Sequence, residues 1–238
     1  CLMYIYGKNV AKEKLKHPTD VVQVYLSSKF KDKEIEDLLA TSKIKTTYLN
    51  NKIMDNKVNG LHQGIIIEVS DIKTYNLDII KNFTSKNPVI VMLDHLEDPH
   101  NFGAIIRTSY ALGIDAIIIP NDRSVDITPT VVKTSAGAVY NIPIIKVPNL
   151  TNTIEKLKKE GYWIVGTDMQ GDNYCELKYD MPTCLIIGNE GKGMSQIVKN
   201  NCDYLVSIPM EGKIDSLNAS VSCGIILSEI KRQRRNSE

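Results

Sequence analysis

The chain has 238 residues, of which 42% are hydrophobic and 24% charged, proportions typical of a globular protein rather than a disordered one. No apolar run reaches the length of a membrane span, and the first residues lack the basic-then-apolar order of a secretion signal. The five cysteines are scattered without a Cys-x-x-Cys pair, which argues against a disulfide framework or a zinc site. We therefore expect a cytoplasmic protein with no membrane segment and no bound metal.

The net charge of +1 conceals an uneven distribution. Residues 1–86 hold 14 Lys, no Arg and 10 Asp or Glu, whereas the remainder holds 15 Lys or Arg and 18 Asp or Glu. A mildly basic front end permits a polyanionic partner but does not demand one. Charge alone fits a solvated, lysine-rich surface equally well.

The first 70 residues alternate helical and strand-like patterns, which predicts a small α/β domain over residues 1–70. The helical patterns are residues 11–15 and 34–39, and the strand-like runs are residues 21–25 and 65–67. Residues 71–88 are rich in Asp, Lys, Asn, Thr and Ser and end at a proline, a composition that predicts a linker.

From Val89 to the C-terminus, short apolar runs alternate with helical patterns. Such runs, apolar on both faces, predict the buried strands of a mostly parallel sheet with helices on both sides, an α/β fold over residues 89–238. The predicted strands are residues 89–93, 116–119, 142–145, 162–165, 184–187 and 205–208; the predicted helices include residues 105–112, 154–157 and 217–230. The basic tail is predicted to be a solvated helix end.

The first of three polar loops, residues 94–103, follows a predicted strand and leads into a helix that carries Arg107. Asn101 is placed to cap that helix. Arg107 lies among small and apolar residues, where an arginine either extends to solvent or binds an anion. The loop histidines His95 and His100 are interpreted as structural rather than catalytic.

The second loop follows the apolar run 184–187 and contains three glycines, Gly188, Gly191 and Gly193. Glycines at this density allow close approach of the backbone to a ligand. The loop is not a triphosphate-binding loop, because Met follows the last glycine where Lys and Ser or Thr are needed, and its spacing is not that of a dinucleotide-binding loop. Glu190 either bonds to its own turn or pairs with an arginine.

The third loop spans residues 208–220 and precedes the last helix, which Asp215 or Ser216 is predicted to cap. Asn218 is expected in the first helical turn, where its amide can face a ligand. Because each of the three loops follows a predicted strand, all three are expected to meet at one edge of the sheet.

As an ordered set, the three loops resemble the motifs of the SpoU/TrmH family of RNA ribose 2′-O-methyltransferases, part of the SPOUT class. The matching segments are residues 101–108, 187–194, and 208–210 together with 216–220. Residues 6–10 and 61–65 resemble the substrate-binding domain that many members carry. The chain is most similar to the subgroup that methylates a guanosine ribose in 23S ribosomal RNA.

The resemblance implies a C-terminal trefoil knot, S-adenosylmethionine as the methyl donor without a metal, and a homodimer. It makes Arg107 the leading catalytic residue, with Asn101, Ser216 and Asn218 positioning RNA or donor and Glu190 orienting Arg107 or holding the glycine loop. The donor-binding positions that it implies are Gly188, Ile208 and Leu217, with Thr167, Met210 and Ala219 as neighbours.

Three alternatives stay open at this point. A transfer-RNA methyltransferase or an antibiotic-resistance methyltransferase of the same family would keep the chemistry and change the substrate. A catalytically silent RNA-binding protein of ribosome assembly would lack donor binding altogether.

Overall fold

A computed structural model of the chain describes residues 2–18, 20–70, 72–122, 124–189, 191–212 and 216–235. The described residues form a four-stranded sheet near the N-terminus and a six-stranded sheet in the remainder. None of the helices in this part of the chain combines the length and the apolar character that crossing a membrane would require.

The N-terminal sheet has the strand order β1-β4-β2-β3. Its strands are β1 (Leu2–Tyr6), β2 (Val21–Ser27), β3 (Thr46–Leu49) and β4 (Ile65–Ser70), and its helices are α1 (Lys8–Lys16), α2 (Lys33–Thr41) and α3 (Asn51–Lys57). β4 runs antiparallel to β1 and β2, whereas β3 is parallel to β2. The predicted elements are confirmed as β2, β4, α1 and α2, while β1, β3 and α3 went unpredicted.

The segment predicted as a linker contacts the second sheet. Tyr75 donates its amide to the carbonyl of Ile144 at 2.9 Å and accepts from the amide of Lys146 at 3.0 Å. A 3₁₀ helix follows over Leu77–Asn82, and its Ile80 side chain is buried. This stretch is therefore ordered and hydrogen-bonded to the edge of the second sheet, although its composition is polar.

The second sheet is entirely parallel, with the strand order β10-β8-β9-β5-β6-β7. Its strands are β5 (Val89–Leu93), β6 (Ala116–Pro120), β7 (Ile144–Val147), β8 (Trp163–Asn173), β9 (Thr183–Ile187) and β10 (Tyr204–Ser207). Its helices are α4 (Pro99–Ala111), α5 (Pro129–Thr134), α6 (Leu150–Lys159), α7 (Gln196–Lys199) and α8 (Ala219–Arg235). All residues of β5, β6 and β9 are buried, as expected for central strands covered on both sides.

Helices cover both faces of this sheet, which confirms the predicted α/β fold. On one face, Val91 and Leu93 of β5 belong to the core that includes α4, α5 and α8. On the other face, Ile90 and Met92 belong to the core that includes α6 and α7. Burying one such side chain contributes about 1.5–3 kcal/mol to the stability of the fold. Because successive side chains of a strand point to opposite faces of the sheet, both helical layers receive part of this stabilisation.

The prediction of a solvated C-terminal tail is wrong for Arg234. Its guanidinium is half-buried and donates to the backbone carbonyls of Tyr179 at 3.0 Å, Met181 at 2.8 Å and Asn87, and to the hydroxyl of Thr183 at 3.3 Å. These bonds fasten the end of α8 to the segment that precedes β9. Burial lowers the pKa of Arg234, and the multiple acceptors keep the charge satisfied.

Candidate active site

The candidate site lies where the adjacent strands β5 and β9 end, beside the middle of the longer neighbouring strand β8. Leu93 at the end of β5 is in register with Ile187 at the end of β9, and Ile186 is in register with Gly166 of β8. Thr167, the next residue of β8, donates its hydroxyl to the carbonyl of Ile186 at 3.1 Å. Two of the three loops predicted to meet at one sheet edge follow the adjacent strands β5 and β9, and the third follows β10, which β8 separates from β9.

α4 begins differently from the prediction. Asp98, not Asn101, is the N-cap residue: its carboxylate accepts the amide of His100 at 2.9 Å, and Pro99 occupies the first helical turn. The Asp-Pro pair is itself a helix-start signal, because the proline needs no hydrogen-bond acceptor there. Asn101 is thus released from capping and lies buried within the first turns of the helix.

Asn101 instead contacts the start of α8. The side-chain amide of Asn218 donates to the side-chain oxygen of Asn101 at 2.9 Å. The side-chain oxygen of Asn218 accepts the backbone amide of Ser220 at 2.9 Å and its hydroxyl at 2.6 Å, so Asn218 caps α8. The expectation that Ser216 or Asp215 caps this helix is wrong for Ser216, and Asp215 lies outside the described residues. Asn218 precedes the helix rather than lying in its first turn.

The glycine loop closes on itself. The amide of Asn189 donates to the carbonyl of Gly193 at 3.0 Å, and the reverse bond measures 2.9 Å. A Cβ on Gly188 would lie 2.3 Å from the backbone of Gly193 and Met194, so no other residue fits without moving the loop. Gly193 has a φ of 68°, in the left-handed region that favours glycine.

A buried carboxylate fastens the glycine loop to the end of β5. Asp94, 1% exposed, accepts the backbone amide of Ser195 at 2.7 Å and its hydroxyl at 2.8 Å, and contacts the His95 ring at 2.5 Å. Asn189 donates its side-chain amide to the His95 carbonyl at 3.0 Å. Asp94, Asn189 and Ser195 were not predicted as site residues from the sequence. The available signal for Asp94 was its place directly after a buried strand.

Arg107 is exposed on α4. Its guanidinium makes no hydrogen bond and no ion pair with any residue that the structure describes. The side chain extends to solvent, which leaves its five N–H donors open to an incoming anion. Glu190, its predicted partner, lies outside the described residues.

The predicted donor-binding positions offer main-chain groups. In the described part of the chain, the amides and carbonyls of Gly188, Ile208 and Leu217 make no backbone hydrogen bond. Gly188 is buried, and a buried backbone group needs a partner. Met210 and Leu217 expose 38% and 36% of their surface, which provides apolar contact area beside these groups. This set of main-chain groups and apolar surface fits an adenine ring and the carbon chain beside it, as in S-adenosylmethionine.

Not every predicted residue is joined to the others. Asn101 and Asn218 are in direct contact, Thr167 touches β9 beside Gly188, and Ala219 is buried at the start of α8. Ser216 is exposed. Near Thr167, burial opposes ionisation of Asp168, but the hydrogen bond from Lys199 at 2.7 Å, the backbone amide of Gln170 and the charge of Lys199 together lower the pKa of the carboxyl. The described residues include no group of three or more His, Cys, Asp or Glu side chains suited to a metal ion.

Comparisons with known proteins agree with this geometry. The model of the SpoU rRNA Methylase family matches residues 88–228, and a model for RNA 2′-O ribose methyltransferase substrate binding matches residues 4–75. A putative TrmH family tRNA/rRNA methyltransferase of Bacillus subtilis is 40% identical over 97% of this chain and 96% of its own. A 23S rRNA (guanosine-2′-O-)-methyltransferase of Pseudomonas putida is 38% identical over 97% and 96%.

Among solved structures, the SpoU methyltransferase AviRb of Streptomyces viridochromogenes, in complex with AdoMet, superposes with a TM-score of 0.86 at 28% identity. The match covers 98% of this chain and 91% of that one. The resemblance inferred from the three loops is thereby confirmed.

Proposed function

The chain belongs to the SpoU rRNA Methylase family, and from this premise we propose that it methylates the ribose 2′-OH of a guanosine in 23S ribosomal RNA, with S-adenosylmethionine as donor. Two observations carry the proposal. The hydrogen bond between Asn101 and Asn218 joins α4 to α8. In the described part of the chain, the main-chain groups of Gly188, Ile208 and Leu217 make no backbone hydrogen bond. Full-length similarity to a relative named for this reaction supports the choice of RNA.

The donor, when bound, supplies an electrophilic methyl group on a positively charged sulfur. The ribose hydroxyl is a poor nucleophile until its proton leaves or its developing charge is stabilised. Arg107 is unsuited to taking that proton, because a guanidinium stays protonated at neutral pH. Its open donors bind an RNA phosphate and stabilise the forming alkoxide, and that phosphate accepts the proton.

The remaining polar residues position the reactants. The Asn101–Asn218 pair fixes the start of α8 against α4 and so sets the relative place of Leu217 and Arg107. Ser216 is exposed and contacts RNA or donor. Glu190 orients Arg107 or holds the glycine loop.

The donor is held by main-chain groups of Gly188, Ile208 and Leu217. Thr167, Met210 and Ala219 surround it, and apolar surface on Met210 and Leu217 contacts the adenine. The chain segment that carries these residues passes through a loop as a trefoil knot, as the family resemblance implies.

The enzyme acts as a homodimer in the cytoplasm. A groove of about 970 Å³ runs between α4 and α8, and small residues such as Ala104, Thr108 and Gly224 line it. Val221, which also lines the groove, is 49% exposed, so a second copy would cover apolar surface there. Small residues let backbones approach closely, which suits helix packing between two identical subunits.

The test is transfer of labelled methyl groups from S-adenosylmethionine to 23S ribosomal RNA and, separately, to transfer RNA. Wild type is compared with Arg107→Ala and Lys159→Ala. Lys159 is an exposed cation on α6, on the opposite face of the sheet, so its variant controls for charge loss.

We expect labelling of 23S ribosomal RNA that Lys159→Ala retains and Arg107→Ala reduces at least about a hundredfold, the scale of losing one transition-state donor. Labelling of transfer RNA alone would keep the chemistry and overturn the substrate. Absence of both labelling and donor binding would favour a silent RNA-binding protein.

A further inference from the structure

A pocket of about 500 Å³ lies in the N-terminal part of the chain, remote in sequence from the loops of the active site. It occupies the sheet edge where β1, β2 and β3 end and β4 begins. Its lining includes Lys8, Lys29, Phe30, Lys31, Leu61 and Gln63. We propose that this edge pocket binds an unpaired nucleotide of the RNA substrate; the identity of the RNA rests on the function proposed above.

The walls of the edge pocket are ordered by specific hydrogen bonds. The side-chain oxygen of Gln63 accepts the amide of Lys8 at 2.8 Å, which joins the loop before β4 to the start of α1. His62 is buried; its Nδ1 accepts the amide of Gly64 at 2.9 Å, so Nε2 carries the proton and donates to Asp55, also at 2.9 Å. The pocket is therefore largely formed before any ligand arrives.

Backbone conformation adds to this order. Gln63 has a φ of 52°, which is uncommon outside glycine, and Gly64 follows with a φ of 80°. A Cβ on Gly64 would lie 3.1 Å from the Phe30 ring, so the glycine lets the loop approach that ring. Backbone strain of this kind persists where the surrounding contacts maintain it. Here the strained conformation of Gln63 places its side chain in the wall of the pocket.

The charge of the edge pocket favours an anion. Lys8, Lys29 and Lys31 line it, whereas Asp55 is its one acidic lining residue and already accepts from His62. Lys29 and Lys31 are exposed, and neither forms an ion pair with a described residue. The ammonium groups of Lys29 and Lys31, two positions apart in the chain, are suited to bind the phosphates on either side of one nucleotide.

The same pocket offers apolar surface for a base. Phe30 is half-buried, and Leu61 exposes 74% of its surface at the rim. Aromatic side chains next to lysines are a recurring means of binding unpaired nucleotides, because every base has a face that stacks. Duplex RNA keeps its bases stacked inside the helix and would leave Phe30 and Leu61 without a partner.

The test compares wild type with Lys29→Glu/Lys31→Glu and with Leu61→Ala. The matched control is Lys43→Glu/Lys45→Glu, which makes the same change of charge. Lys43 and Lys45 are exposed and precede β3, at the opposite edge of the sheet, because β3 runs parallel to β2. Each protein is titrated with a transcript of 23S ribosomal RNA and with a duplex RNA of equal length, over a range of salt. Methyl-transfer kinetics are measured in parallel.

We expect Lys29→Glu/Lys31→Glu to weaken transcript binding at least about tenfold and to reduce the salt slope by about 1–2, while the control changes neither by comparable amounts. KM for the transcript rises and kcat stays near wild type, the pattern of lost uniform binding. Leu61→Ala weakens binding of the transcript more than that of the duplex.

Equal weakening in the control, an unchanged salt slope, or equal loss for transcript and duplex would overturn the pocket assignment. If wild type binds the transcript without methylating it, and Lys29→Glu/Lys31→Glu abolishes that binding, the proposed function falls while the pocket stands. If Lys29→Glu/Lys31→Glu methylates the transcript with an unchanged KM, the pocket assignment falls while the proposed function stands.

Discussion

The side chains of Asn218 and Asn101 meet at 2.9 Å, although 117 positions separate them in the sequence. One amide thereby has two structural tasks: its oxygen caps α8, and its nitrogen holds α8 against α4. These tasks can be separated by mutation, because an aspartate keeps the oxygen and loses the donor.

Asn218→Asp should therefore retain the cap and impair catalysis. We expect the unfolding free energy to fall by about 1 kcal/mol, because aspartate caps as well as asparagine but no longer donates to the buried Asn101 oxygen. Methyl transfer should fall about ten- to a hundredfold, because the start of α8 is no longer fixed to α4. Asn218→Ala should lose activity and about 2 kcal/mol of stability, because it loses the cap as well as the donor. Urea unfolding and single-turnover kinetics measure both; full activity in Asn218→Asp would contradict the positioning role.

The carboxylate of Asp94 should contribute more to the glycine loop than any one of its partners. Asp94→Asn would set the side-chain N–H of asparagine against groups that donate to the carboxylate in the wild type. Because the site is buried, this should lower the free energy of unfolding by about 2–3 kcal/mol. Ser195→Ala removes one hydrogen bond of the set and should cost about 1 kcal/mol. Urea unfolding gives the stabilities, and calorimetric titration with S-adenosylmethionine gives the donor affinity. Equal costs for the two variants would show that Asp94 does not organise the loop.

Gly188 should be intolerant of a methyl group that Gly191 accepts. The nearest atoms to a Cβ at Gly188 are backbone at 2.3 Å, which cannot move independently, whereas the nearest to one at Gly191 is the Asn189 side-chain oxygen at 3.8 Å. Gly188→Ala should reduce donor affinity at least about tenfold, and Gly191→Ala should stay within about 0.5 kcal/mol of wild-type stability. Tight donor binding by Gly188→Ala would place the donor elsewhere.

Lys14 should make stability depend on pH in the alkaline range. Its ammonium is buried between the Asp20 carboxylate and the ring of Tyr140, 3.7 Å from the ring centre. Burial lowers the pKa of Lys14 to about 8. Because the unfolded-state pKa is about 10.4, the unfolded chain holds more protons between these values, and the Lys14 contribution to stability rises with pH in that window.

Burial raises the pKa of the thiols of Cys184, Cys202 and Cys223, so these thiols make the protein less stable as the pH rises. Because the thiols act equally in wild type and in Lys14→Met, the variant serves as the reference. Between about pH 7 and about pH 9.5, wild type should gain stability relative to Lys14→Met in urea unfolding. A constant or shrinking difference would mean that Lys14 keeps its proton in the folded state.

The elements that the sequence predicted best are those whose burial is complete. β5 and β9 are apolar throughout because both faces of the sheet are covered, so the runs 89–93 and 184–187 matched them closely. β3 is a half-buried edge strand of Thr-Thr-Tyr-Leu, and its pattern has no such run. The outer part of β8 is polar and exists because residues 172 and 173 pair with β10.

The order of strands and loops was predictable from the sequence, but the contacts of the candidate site were not. The loops that follow β5 and β9 leave neighbouring parallel strands, whereas Gly188 and Thr167 were named as donor positions only from the family resemblance. The cap at α4 was missed because Asn101 was weighed without the Asp98-Pro99 pair, which starts the helix earlier. The bond between Asn101 and Asn218 joins residues far apart in the chain, and no local pattern reports such a pair.

The central claim is the chemical position of the methyl group. It is tested most directly by incubating unmodified 23S ribosomal RNA with the protein and S-adenosylmethionine, digesting the RNA to nucleosides and identifying the product by mass spectrometry. The account predicts 2′-O-methylguanosine with wild type and its loss with Arg107→Ala. A methyl group on a base, or 2′-O-methylguanosine that persists in Arg107→Ala, would contradict it.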